Sequence, residues 1–149
     1  MAQKITLFLW YNDQATPAAR LYVSIFKKSR ITSESPMATE FKLDGQEFIA
    51  FNGGPFKEKF SQAMSLFVSC KTQKEVDYYS RRLTSGGGRL LKCGWLNDKY
   101  GVTWQIVPDV LGELLSDPNP EKAGRTLKAM LKMKKLDIAA LKRAHAGRG

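Results

Sequence analysis

The chain carries a single histidine, His145, and two cysteines, Cys70 and Cys93. His145 stands near the C-terminus, so the body of the chain has no imidazole for a Ser-His-Asp or Cys-His arrangement, nor for a multi-histidine metal site. The cysteines show neither a CxxC motif nor metal-ligand spacing and are expected as reduced, partly buried thiols. What is left for chemistry is carboxylate and amide oxygen, small hydroxyls and an aromatic complement of 11%. Carboxylates can act as general bases, amides fix hydrogen bonds, and aromatic rings give stacking area for an apolar ligand. Which of them can act together depends on the strands that carry them.

Those strands occur in a repeat. Ile5 to Asn12 is apolar and aromatic, as a buried strand requires. Helical spacing follows from Asp13 to Phe26, with Ala19, Tyr22 and Phe26 on one face. Thr16-Pro17 fits an N-cap and a first-turn proline, with a start nearer Asp13 as the alternative. Ala63 to Cys70 repeats the strand, Thr72-x-x-Glu75 has the form of a capping box, and Val76, Tyr79 and Leu83 each follow their first-half counterparts by 57 positions. Asp44-Gly45, between Thr39–Leu43 and Gln46–Asn52, predicts a type I′ hairpin with Lys42 opposite Glu47, Phe41 opposite Phe48 and Glu40 opposite Ile49. Arg89 to Leu96, a turn over Asn97 to Gly101, and Val102 to Val107 repeat that pattern, so each half reads as βαβββ.

The fold class expected is α+β: two βαβββ modules forming a curved mixed sheet, plus C-terminal helices. The modules are expected at residues 1–55 and 56–108, with Asn52-Gly53-Gly54-Pro55 reversing the chain between them, and a basic helical extension at 109–149. In the extension, Glu121 to Lys134 places Ala123, Leu127, Met130 and Leu131 on one stripe. Asp137 opens a last helix through Ala144, with Ile138, Leu141 and His145 on one side.

With 43% hydrophobic and 26% charged residues the composition is close to the average of soluble globular proteins, which disfavours global disorder. The net charge of +10 is concentrated in residues 121–149, where nine basic residues face two acidic ones. This tail reads first as a solvated helix face, with attraction to nucleic acid or an acidic surface as the alternative. No run reaches the roughly 18 apolar residues of a membrane span, and no signal-peptide h-region follows Met1, so a cytoplasmic protein without membrane contact is expected.

Taken together, the motifs resemble one family. They are Ile5-Thr6-Leu7-Phe8-Leu9-Trp10-Tyr11, the Phe41-x-Leu43-Asp44-Gly45-Gln46 hairpin, Asn52-Gly53-Gly54-Pro55 and Thr72-Gln73-x-Glu75-Val76-Asp77-Tyr78-Tyr79. Cys93-Gly94-Trp95-Leu96-x-Asp98-Lys99-Tyr100-Gly101, Trp104-Gln105-Ile106-Val107-Pro108 and the tail from Ala129 to Lys135 complete the set. All are similar to the PhnB-like family of the glyoxalase/bleomycin-resistance/dioxygenase, or vicinal oxygen chelate, superfamily. The resemblance spans nearly the whole chain and implies paired βαβββ modules around a cupped sheet, and a homodimer. The family often carries the name 3-demethylubiquinone-9 3-methyltransferase, which would imply a doubly wound sheet with a glycine-rich strand-to-helix turn; Gly86-Gly87-Gly88 instead follows a helix and precedes a strand. Compared with relatives, Ile31 to Ala38 is short, Phe56 stands where a histidine often follows Gly-Gly-Pro, and Ser80 stands where tryptophan is frequent.

The superfamily typically holds a divalent metal with His, Gln or Glu on the inner strand faces. Strand alternation puts Thr6, Phe8 and Trp10 on the face opposite Leu7, Leu9 and Tyr11, together with Glu47, Ile49, Phe51 and, through its pairing, Glu40. The second module contributes Ala63, Ser65 and Phe67, with Thr103 and then Gln105, the latter where relatives commonly have a metal-binding Glu. One carboxylate, one amide and no imidazole do not form a tight transition-metal set, so no metal or other cofactor is expected. Glu40 is a general base only if desolvated, and otherwise a solvent-edge carboxylate. Phe8, Trp10, Phe51, Phe67, Trp95 and Trp104 offer an apolar lining. The candidate ligand-binding residues are Thr6, Phe8, Trp10, Glu40, Ile49, Phe51, Ser65, Phe67, Trp95, Thr103 and Gln105, with no catalytic residue singled out. The expected function is a PhnB-like protein that binds an aromatic or apolar small molecule in the cup of its sheet. A related glyoxalase-like or methyltransferase-named enzyme, and a nucleic-acid-associated protein using the basic helices, are the alternatives.

Overall fold

A computed structural model describes residues 4–148, and the chain divides into two units, residues 1–59 and 60–149. The first unit runs β1 (Leu7–Tyr11), α1 (Ala15–Ile25), β2 (Arg30–Glu34), β3 (Ala38–Leu43) and β4 (Gln46–Asn52). Its sheet has the order β1-β4-β3-β2, with β1 parallel to β4 and the hairpins antiparallel. Asp44 and Gly45 take φ of 48° and 88°, the positive pair of a type I′ turn, and the three expected cross-strand pairs are the observed ones. Helix α1 turns Ala15, Ala18, Ala19, Tyr22 and Ile25 into a core with Tyr11, Phe41, Leu43, Phe48 and Ala50. The alanines let the helix backbone approach the sheet, while Tyr22, Phe41 and Phe48 fill the space with ring contacts.

Four local expectations in this unit are corrected. Strand β1 begins at Leu7, leaving Ile5 79% exposed. Thr16 is not the cap of α1. Its hydroxyl lies 2.7 Å from that of Thr39, and the free N–H of Ala15 is satisfied by Asn52 Oδ1 at 2.8 Å. The helix is thus capped from the end of β4, a tertiary contact that local pattern cannot show. Half of the stretch from Ile31 to Ala38 is strand β2, and only Ser35 to Met37 joins it to β3. Gly53 and Gly54 do not reverse the chain: their N–H groups donate to the carbonyls of Tyr11 and Asn12, carrying the β1–β4 pairing past the end of β4.

The second unit repeats the module with β5 (Leu66–Cys70), α2 (Gln73–Leu83), β6 (Arg89–Leu90), β7 (Trp95–Asn97) and β8 (Thr103–Pro108), in the order β5-β8-β7-β6, with β5 parallel to β8. Strand β5 starts at Leu66, so Ala63 stands outside it in an exposed turn. Helices α1 and α2 are each 11 residues long with starts 58 positions apart, one more than the sequence spacing suggested. The buried positions Ala18, Tyr22 and Ile25 therefore correspond to Val76, Ser80 and Leu83. Thr72 caps α2 by accepting the Glu75 N–H at 3.2 Å, while the Glu75 carboxylate reaches the N–H of Lys71 rather than that of Thr72. Asp98 is buried and fully engaged: its carboxylate accepts the N–H groups of Tyr100 and Val102 and the indole N–H of Trp104, which pins the β7–β8 turn.

The segment expected as one strand over Arg89 to Leu96 is broken by a turn in which Cys93 and Gly94 take φ of 61° and 85°. The break has a tertiary cause. The N–H groups of Cys93 and Gly94 donate to the carbonyls of Met133 and Lys134 at 2.8 and 2.7 Å. The Gln73 amide clamps the same segment, donating to the Leu136 carbonyl at 3.0 Å and accepting the Ile138 N–H at 2.7 Å. Lys135 Nζ lies 2.8 Å from Asp77 Oδ1, and that contact, with the Gln73 hydrogen bond, holds the Asp77 carboxyl below its ordinary range.

Three helices follow β8 where two were expected: α3 (Asp109–Leu115), α4 (Pro120–Leu131) and α5 (Ile138–His145). Leu111, Leu136 and Leu141 form their core, with Met130 and Leu115 packed against it. The inward face of α4 carries Thr126 and Met130, one residue round from the expected stripe, so that Leu127 and Leu131 are 45% and 54% exposed. Asn119 and Asp137 cap α4 and α5. Arg125 donates to the carbonyls of Ala144 and His145, closing the C-terminus of α5. His145 Nε2 sits 2.8 Å from Asp117, whose carboxyl is held low first by the Asn119 N–H and then by His145. No described helix is long and apolar enough to cross a membrane.

A Cβ on Gly94 would stand 2.8 Å from both the Ile106 carbonyl oxygen and Leu136 Cδ1, at a positive φ. Gly94→Ala is therefore expected to destabilise the second unit by about 3 kcal/mol, lowering Tm by roughly 10 °C in thermal unfolding. An unchanged Tm would show that the Met133–Ile138 segment is not held against this turn.

Candidate functional site

On the face of the first sheet opposite α1, Phe8 pairs with Ile49, Trp10 with Phe51, and Ile49 with Glu40. Phe8 is 55% exposed and meets Phe51 at 5.3 Å between ring centroids; Phe51 meets Trp10 edge-on at 5.1 Å, and Phe56 stacks on Trp10 at 4.5 Å. The Trp10 indole lies over Gly53 and donates its N–H to the Gly54 carbonyl at 3.2 Å. The Gly-Gly pair thus seats the tryptophan, and Phe56 covers its ring. Thr6 stands half-buried just ahead of β1. Glu40 is exposed, so the desolvation that would make it a general base is missing. Lys42 and Glu47 hold a 3.8 Å ion pair on the same face.

In the second unit Phe67, Gln105 and Trp95 align across β5, β8 and β7. Phe67 is 60% exposed. The Gln105 amide donates to the Ser65 hydroxyl at 2.9 Å, which fixes the side chain along the sheet. Thr103 is buried and its hydroxyl donates to Asn97 at 2.9 Å, so it is spent on the β7–β8 pairing. Trp104 is corrected. Alternation along β8 turns it away from the Gln105 face, where it is buried and bonded to Asp98. Burial, aided by the charges of Glu75 and Asp109, pushes the Cys70 thiol up to about 12, which leaves it inert as a nucleophile.

Phe67, Trp95 and Gln105 line a cleft of about 480 Å³ whose other wall is Leu111, Leu115 and Met130 from α3 and α4. The three helical residues were not foreseen, although Leu111 and Leu115 stand at i and i+4 behind Asp109. The donors do not fit a tightly held divalent ion: among the described residues no three His, Cys, Asp or Glu side chains come together, and the Gln105 amide is engaged with Ser65.

The family described as 3-demethylubiquinone-9 3-methyltransferase matches residues 3–107. The chain belongs to this family. A PhnB protein from Bacillus cereus given the same methyltransferase name is 35% identical over 71% of this chain and 99% of its own, with a TM-score of 0.65. A protein from Pseudomonas aeruginosa is 15% identical over 72% and 98% of the two chains (TM-score 0.61), and a glyoxalase-related enzyme from Fulvimarina pelagi is 15% identical over 73% and 91% (TM-score 0.53). These two share the fold, that of glyoxalase/bleomycin-resistance proteins. No curated protein matches the chain. In this PhnB-like chain the turns from β1 to α1 and from β5 to α2 contain no glycine, so neither is the glycine-rich turn the methyltransferase name would require. The family match ends at Val107, leaving α3, α4 and α5 beyond it.

A Cβ on Gly53 would fall 2.1 Å from Trp10 Cε2. Gly53→Ala is expected to expel the indole from its seat, breaking the bond to Gly54 and red-shifting the tryptophan emission while the fold is retained. The same substitution in a Trp10→Phe background should leave the emission unchanged, and a shift there would place the effect elsewhere.

Proposed function

We propose that this PhnB-like vicinal oxygen chelate protein binds an aromatic or apolar small molecule on the faces of its βαβββ sheets opposite α1 and α2. The observation that carries the reading is the exposure of Phe67 and Phe8 on those faces, each beside a second aromatic or apolar side chain. A folded chain gains about 25 cal/mol for each Å² of apolar surface removed from water. Aromatic rings left open in a row across paired strands are therefore surface that a flat ligand would cover with gain. Trp10, Phe51 and Ile49 extend the first face, while Trp95 and Gln105 extend the second, and Gln105 adds one fixed polar group for orientation. Thr6, Glu40 and Ser65 are assigned supporting places at the edges, and Thr103, buried and bonded to Asn97, is left out of the ligand site. Non-covalent capture needs no proton transfer, which agrees with an exposed Glu40 and an inert Cys70.

The test is thermal unfolding of the full chain with a panel of planar aromatic probes, indole, quinoline and 2-naphthol among them. At a probe concentration 100 times Kd, binding stabilises by about 2.7 kcal/mol, which for a chain of this size raises Tm by roughly 5–10 °C. Phe67→Ala or Trp10→Ala is expected to remove most of the rise. A panel without effect, or full stabilisation retained in both variants, would overturn the reading.

A further inference from the structure

The cleft of the second unit differs from an open sheet face because helices outside the family match build half of it. The matched region ends at Val107, and α3 starts two residues later at Asp109. Val107 of β8 packs against the Leu111, Leu136 and Leu141 cluster, and the Cys93 and Gly94 N–H groups bond to Met133 and Lys134, so the helices and the wall they form are fastened to the module. The cleft has apolar sides, Phe67 and Trp95 against Leu115 and Met130, and its volume of about 480 Å³ falls within the range of small-molecule sites.

Two of its polar groups are open acceptors. The Gln105 amide donates one of its two N–H groups to Ser65, its oxygen has no partner among the described residues, and the Asp109 carboxylate stands in the same lining. Both are acceptors. A ligand that lay between the rings and the helical wall would satisfy the Gln105 oxygen only by donating a hydrogen bond. Gly112 adds a second indication. It lies within α3, where glycine costs about 1 kcal/mol relative to alanine, yet a Cβ there would meet nothing within 4 Å. No packing demand keeps a side chain out of that position, and the glycine lines the cleft one turn from Leu115.

We propose that this cleft, walled by α3 and α4, is a binding site for a planar aromatic molecule bearing a hydrogen-bond donor, with Gln105 reading the donor and Gly112 keeping the space open. The inference rests on the small-molecule reading above and narrows it to one place and one ligand chemistry. It assigns to the C-terminal helices a role in selecting the ligand, which the sheet face alone does not provide.

Indole and 1-methylindole, which differ by the N–H donor, test it by NMR titration of the full-length protein. Indole is expected to bind about tenfold more tightly than 1-methylindole, the value of one neutral hydrogen bond in a desolvated site. Gln105→Leu should abolish that preference. Gly112→Leu, which improves helix propensity while filling the cleft, should weaken both probes at least tenfold. Gly124→Leu, on α4 with equally open space but outside the cleft, should leave both unchanged. If Gly112→Leu leaves indole binding intact while Phe67→Ala weakens it, the helical wall has no part and the inference falls with the broader reading still standing. Equal affinity for the two probes overturns the assignment of Gln105. Indole binding indifferent to Phe67→Ala and Trp10→Ala would remove both.

Discussion

The pairing of the first strand of each module with its last, in parallel, is the constraint on which the rest depends. A parallel pair cannot be joined by a tight turn, so the chain must cross over through a helix, and that helix covers one face of the sheet. In the first unit β1 and β4 pair from Leu7 with Phe48 to Tyr11 with Asn52; in the second, β5 and β8 pair from Leu66 with Trp104 to Cys70 with Pro108. Once those registers are set, period-two alternation decides which face each side chain takes. Tyr11, Phe48 and Ala50 go to the helix, as do Cys70, Trp104 and Ile106; Phe8, Trp10 and Phe51, and Phe67 and Gln105, go to the other side. A shift of one residue in either pair would exchange the two sets.

Most of this was legible in the sequence because it is carried by short-range signals. The Asp-Gly turn specified its hairpin to the residue, and the register of that hairpin located Glu40 beside Ile49. Strand parity then sorted Phe8, Trp10, Phe51 and Phe67 correctly, whereas Trp104 entered the lining without that count. That tryptophan alternates with Gln105 on β8, so counting parity from Gln105 would have excluded it; its indole N–H also needed a buried partner, which Asp98 supplies.

The features that escaped were those whose cause lies far along the chain. The cap of α1 comes from Asn52, 37 positions away, and the turn at Cys93 and Gly94 exists because the Met133–Ile138 segment docks there. Local propensity cannot report either. The inward face of α4 was misjudged for a related reason: Leu127 and Leu131 look like core by hydropathy, but Thr126 bonds back to the Lys122 carbonyl and takes the buried place, with Met130 reaching the leucine cluster. Of the basic tail, Arg125 and Lys135 are spent on structure, in closing α5 and pairing Asp77.

Three tryptophans make the central claim directly measurable, since each gives a separate indole N–H signal. Trp10 and Trp95 stand on the sheet faces opposite α1 and α2, and Trp104 is buried on the α2 side of the second sheet against Asp98. In a nitrogen-15 correlation spectrum recorded during addition of a planar aromatic probe, ligand binding on these faces moves the Trp10 or Trp95 signal with saturation while the Trp104 signal stays in place. Signals that all remain fixed, or a Trp104 signal that moves alone, would contradict it.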